Sequence, residues 1–126
     1  MKKEDLQTRL DILYEQKVIN QEVYNLTLQA FEALSSFLQK EDIKNSEMLF
    51  THLPMGLMRI LRGNDEEIEA PEETVLLEIK KHDSYDQALQ LIKGLEELFS
   101  KPLPKAEIDY LLIHYINIIF IHKGEN

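Results

Sequence analysis

The sequence predicts an all-α protein, a compact helical bundle of about five or six helices, and three observations predict it. Apolar residues recur at helical spacing almost from end to end, and no segment alternates at period two for long enough to make a strand. The four Gly and four Pro fall mostly between the periodic segments, as punctuation. A chain of 126 residues with 44% apolar side chains has the size of one domain and can bury a core without disulfide or metal support. Residues 1–126 are therefore read as a single domain.

A first helix spans about Glu4 to Gln16, with Leu6, Leu10 and Leu13 on its inner face. Asn20 suits an N-cap, because its side-chain oxygen can accept from a backbone N–H of the next turn. It opens a helix to about Leu38 whose inner face carries Val23, Leu26, Ala30, Leu34 and Phe37. Lys40 to Lys44 is a polar connection, and Asn45 or Ser46 caps a third helix that ends near Gly63, a C-cap. Pro54 lies inside that helix and lacks the N–H an interior residue donates. It is expected to kink the helix, or to mark a fresh start capped by Thr51 or Leu53.

Asn64 to Glu73 reads as an acidic loop. A short helix follows from about Pro71 or Glu72 to Lys80, and Asp83 or Ser84 caps the next, which carries Ala88, Leu91, Ile92, Leu95 and Leu98. Pro102 and Pro104 bracket a turn, and Pro104 suits the first position of a last helix reaching about Ile121. That helix is apolar nearly all round, the pattern of a central, buried helix.

Composition narrows the function classes. Fourteen Lys and Arg stand against 23 Asp and Glu, a formal charge of −9. Binding nucleic acid through its phosphates, or adhering to an anionic membrane, needs the opposite balance. Six of the carboxylates lie between Asn64 and Glu73, which leaves −3 on the rest, so the body is nearly neutral. The absence of Cys excludes disulfides, thiolate zinc sites and cysteine nucleophiles. The start, Met1-Lys2-Lys3-Glu4-Asp5, shows no secretory signal, and no apolar run approaches the roughly 20 residues of a membrane span. A cytoplasmic location is expected, with no membrane partner.

Two polar groupings stand out. On the last helix, Glu107, Tyr110, His114 and Asn117 are spaced 3, 4 and 3 apart and form one polar stripe. Burying such groups costs free energy unless they are partnered. Either the stripe faces water or it lines a site, and His114 is either a packing histidine or a functional one. On the third helix, His52, Met55 and Arg59 share a face at spacings of 3 and 4. Arg59 suits phosphate, because its fork donates two hydrogen bonds at once, but from spacing alone a pairing with a carboxylate is favoured. His82 and His122 are read as surface residues. The phosphate loop, the HExxH helix and the GxSxG elbow are absent. His52, His114 and Glu107 offer metal-ligand types with no spacing to join them, and the acidic run lacks a calcium loop's regularity.

The segment F-T-H-L-P-M-G-L-M-R-I-L-R-G, Phe50 to Gly63, places an Arg seven residues after a His. The segment P-K-A-E-I-D-Y-L-L-I-H-Y-I-N, Pro104 to Asn117, places a His seven residues after a Glu. Together, and with the R-L-D-I-L start from Arg9 to Leu13, these resemble the two histidine signatures of the PRD family, the regulatory domain controlled by the bacterial phosphotransferase sugar system. The resemblance implies a helical bundle paired as a homodimer and no enzymatic activity. It implies phosphorylation on histidine by the phosphocarrier HPr or a sugar-transport component, and control of transcription of sugar-utilisation genes. It makes His114 and His52 the phosphoacceptor candidates, with Arg59 and Glu107 as accompanying residues and Tyr110 and Asn117 beside them. No cofactor is implied.

Two departures shape that expectation. One copy of the domain fills the chain with no nucleic-acid-binding segment, so action through a protein partner, including another PRD-containing regulator, is expected. Thr51 stands where the family commonly has an Asp that orients the first histidine, which favours His114 over His52. The alternatives are a binding module that kept the fold and lost phosphorylation, and, behind it, a small metal-binding protein.

Overall fold

The computed structural model of the chain describes residues 1–64 and 70–123. Among these residues there are six helices and no strand: α1 (Lys3–Glu15), α2 (Gln21–Leu38), α3 (Glu47–Leu61), α4 (Glu73–Lys80), α5 (Tyr85–Leu98) and α6 (Lys105–Lys123). The all-α expectation holds. Of the acidic stretch, residues 65–69 lie outside the described residues, while Glu72 is the N-cap of α4 and Glu73 its first residue.

The core forms where α2 and α6 meet their neighbours. α2 packs on α1, α3 and α5, and α6 packs on α3, α4 and α5. Leu6 and Leu10 of α1, Val23, Leu26 and Leu34 of α2, Ile92 of α5 and Leu111 and Tyr115 of α6 are all buried. Phe31 and Phe50 meet with ring centroids 5.2 Å apart and fix α2 against α3. The last helix is the central one its composition predicted, with buried residues on most of its circumference. No helix among the described residues is long and apolar enough to cross a membrane.

Local signals placed most boundaries. The Asn20 side chain accepts from the Val23 N–H at 2.9 Å and starts α2. Gly63 follows α3 at φ +78, a left-handed turn that a residue without a Cβ adopts freely. Ser46 and Ser84 stand at the N-cap positions of α3 and α5, but neither side chain makes the capping bond. Ser46 Oγ instead donates to the Ile43 carbonyl at 2.7 Å.

Four expectations are corrected. α3 runs as one helix from Glu47 to Leu61 with Pro54 inside it, so there is no fresh start. Burial of Phe50, Leu53, Pro54 and Leu57 on one side outweighs the missing bond, a cost of about 3 kcal/mol. Phe37 and Leu98 are exposed although they continue their helices' apolar faces. Both lie in a final turn, and helical spacing fixes a residue's direction but not whether a neighbour extends that far. His122 is not a surface residue. It is buried, and its Nε2 accepts from the Lys44 N–H at 3.0 Å, so the end of α6 is tied to the chain entering α3. His82 is half-buried, its Nδ1 accepts from the Ser84 N–H at 3.0 Å, and its ring meets Phe120 edge-on.

Candidate functional site

α3 and α6 lie side by side, and their two polar groupings meet at the seam. The link is a 2.8 Å hydrogen bond between His52 Nε2 and Glu107 Oε1. The Glu107 side chain is 0% exposed and that of His52 15%. The tautomer of the ring decides which atom donates; with Glu107 ionised, the carboxylate only accepts and His52 Nε2–H is the donor. Glu107 sits in the first turn of α6, where the helix dipole favours a negative charge. Its second oxygen, Oε2, is buried without a hydrogen-bond partner.

Gly56, one turn beyond His52, makes this bond possible. A Cβ at position 56 would stand 2.9 Å from Glu107 Oε1 and 3.1 Å from His52 Nε2. Gly56 belongs to neither polar grouping of the sequence. The available signal was a glycine in the middle of a helix, where it costs about 1 kcal/mol relative to alanine and so calls for a reason.

Tyr110 joins the two histidines. Its ring centroid lies 4.0 Å from that of His52 and 4.5 Å from that of His114. His52, Tyr110 and His114 thus form a row of three rings, anchored at its buried end by Glu107. Burial, then the nearby Glu107 carboxylate, raise the Tyr110 phenol above its usual range, while the Arg59 guanidinium acts the other way. The phenol stays protonated near neutral pH.

His114 ends the row on different terms. It is half-buried and makes no hydrogen bond among the described residues. It lines an open pocket of about 370 Å³ with Asn45, Glu47, Met48 and Asn117. Asn117 is exposed, and Met48, also lining the pocket, is 68% exposed. Burial first, and the charge of His52 second, hold the His114 imidazole below the ordinary histidine range. Near neutral pH the ring is therefore uncharged, with a nitrogen lone pair available.

Arg59 lies half-buried on the same face of α3 as His52. It makes no ion pair with a described residue, and its Nε is buried without a partner. The carboxylate pairing that spacing favoured for it is absent among these residues. Thr51, where an Asp was expected by resemblance, is exposed, and its Oγ1 accepts from Arg9 Nη1 at 3.5 Å. The polar stripe of α6 is graded: Glu107 is buried, Tyr110 and His114 are half-buried, and Asn117 is exposed. No group of three or more His, Asp or Glu among the described residues is arranged to hold a metal ion.

The protein is an all-helical bundle in which His52 and Glu107 meet across the α3–α6 pair and Tyr110 joins them to His114. The chain belongs to the PRD domain family, whose model matches residues 37–118, from the end of α2 almost to the end of α6. The family is regulatory and tied to the phosphotransferase system. No curated protein and no solved structure matches the chain.

Proposed function

We propose that this chain is a single regulatory domain, residues 1–126, that reports the state of the phosphotransferase system by accepting a phosphoryl group on His114. The observation that carries the reading is the condition of His114: uncharged, free of hydrogen bonds among the described residues and set at an open pocket. In the transfer, the lone pair of a His114 ring nitrogen attacks the phosphorus of a phosphohistidine on HPr or on a sugar-transport component. The phosphorus–nitrogen bond to the donor breaks, and its electron pair stays on the donor imidazole. The added phosphoryl brings about two negative charges and strong acceptors to the pocket. That is enough to bias packing against a second copy or against another PRD-containing regulator, and so to influence transcription in the cytoplasm without direct contact with nucleic acid.

The test is incubation of the purified chain with phosphoenolpyruvate, the general phosphotransferase enzyme and HPr, then with each sugar-transport component. The expected result is acid-labile phosphate that disappears in His114→Ala. No label from any donor overturns the reading.

A second reading has an observation of its own. Thr51 cannot supply the charge that would orient His52, and the Nε2 of His52 is already bonded to Glu107. A module that binds its partner without phosphorylation fits those two facts. Partner capture that is unchanged in His114→Ala and in His52→Ala supports it.

A further inference from the structure

The two histidines of the site are chemically unequal, and the inequality assigns His52 a role. Its Nε2–H is donated to a carboxylate with no exposure, and the floor of the bond is Gly56. A phosphoryl group on Nε2 would take the place of that donor and leave Glu107 buried with both oxygens unpartnered, an arrangement that carries a heavy penalty. The same ring packs against Tyr110 at an interplanar tilt of 31°, and Tyr110 packs against His114 at 44°. What holds His52 therefore also holds the wall against which His114 rests.

We infer that His52 is a positioning residue for His114 rather than an acceptor: donated to Glu107 in the space left by Gly56, it fixes Tyr110 and through it the angle at which the His114 ring meets the pocket. This deepens the reading that His114 is phosphorylated and rests on it. The requirement at position 52 is then a flat group with a donor at the far end, not a nucleophile. Glutamine meets the donor requirement, because its amide N–H occupies the place of Nε2–H, and alanine does not.

The experiment has three arms on the full chain. In the first, long-range proton–nitrogen NMR reads the tautomer of each histidine above pH 8. The Nε2–H form is expected for His52, and a bare Nε2 overturns the inference. In the second, diethyl pyrocarbonate reports the reactivity of the His114 ring, resolved by peptide mass spectrometry. His52→Ala is expected to change the His114 rate by about tenfold, the scale of a lost aromatic contact. His52→Gln is expected to stay within about threefold of the parent, because the bond to Glu107 survives. Equal rates in all three proteins overturn the inference, as does a glutamine variant that behaves like alanine. In the third, phosphoramidate serves as a small phosphoryl donor that needs no protein partner. Label on His114 alone supports both readings, and label on His52 overturns this one. No label on either histidine counts against phosphoacceptance by His114, while the first two arms still decide the role of His52.

Discussion

The two ends of α6 carry the same side chain in opposite circumstances. At His122, near the C-terminal end, the imidazole is buried and its Nε2 accepts the Lys44 N–H, so its chemistry is consumed in joining α6 to the chain entering α3. At His114, two turns earlier, the ring is half-buried, has no hydrogen bond among the described residues and faces an open pocket. Residue type alone would rank them equally. The difference lies in whether a ring nitrogen has a partner, and a histidine becomes available for chemistry when the fold does not need its nitrogens.

The comparison is broken most severely by attacking the anchor of the site. Glu107→Ala removes a buried partner and leaves His52 with nothing to donate to. A loss of about 3 kcal/mol in urea unfolding is expected. A loss under about 1 kcal/mol would mean the seam is solvated rather than sealed. His122→Ala is the next largest. It orphans the Lys44 N–H and opens a small cavity, for an expected cost of about 2 kcal/mol. His114→Ala, by contrast, loses one ring contact from a half-buried residue and is expected to cost under about 1 kcal/mol. If His114→Ala proves as costly as His122→Ala, the distinction between the two ends fails.

Gly56→Ala sharpens the picture further. Alanine gains about 1 kcal/mol of helix propensity, but its methyl group enters the space between His52 and Glu107. Overpacking of this kind typically costs 1–3 kcal/mol, so a net loss of about 1 kcal/mol is expected in the same assay. A stabilised variant would show that the seam gives way easily.

The smallest effect is in pH. His114 is held below its ordinary pKa by burial and then by His52, so the unfolded chain takes up the proton more readily than the folded one. Its contribution to stability is fully present above the ordinary value of 6.5 and is lost as pH falls through the lower folded value. Melting temperatures should thus drop more between pH 7.5 and pH 5.5 in the parent than in His114→Gln. His122 is common to both proteins and cancels in the difference. The charged and titratable groups around the ring are His52 and Arg59 of α3, Glu107 of α6 and Glu47 at the pocket rim, and all four remain in both proteins.

The helices were legible because their signals are local. Leu6 and Leu10, the Asn20 cap and the glycine after α3 each act within a turn or two of their own position. One face of the site was legible for the same reason, since Glu107, Tyr110, His114 and Asn117 share a helix. The His52–Glu107 bond was not, because it joins residues 55 positions apart and depends on how α3 lies against α6. His122 was misjudged on the same account. Its neighbour Lys123 is exposed and suggests a surface, whereas its partner, Lys44, is distant in sequence. Pro54 misled in the other direction, because a local rule about backbone donors was overruled by packing around the whole of α3.

The proline in α3 has a mechanical consequence. The helix passes through Pro54 with one rung of its ladder missing, since position 54 has no hydrogen to offer the carbonyl of Phe50. Bending is cheaper at that rung than anywhere else along the rod. On one side of it lie Glu47 and Met48, a wall of the His114 pocket; on the other lie Gly56 and Arg59. The segment that forms the pocket wall is also the one that His52 ties to Glu107 and Phe50 to Phe31, so the weak rung sits at the edge of the site and not within its anchored part.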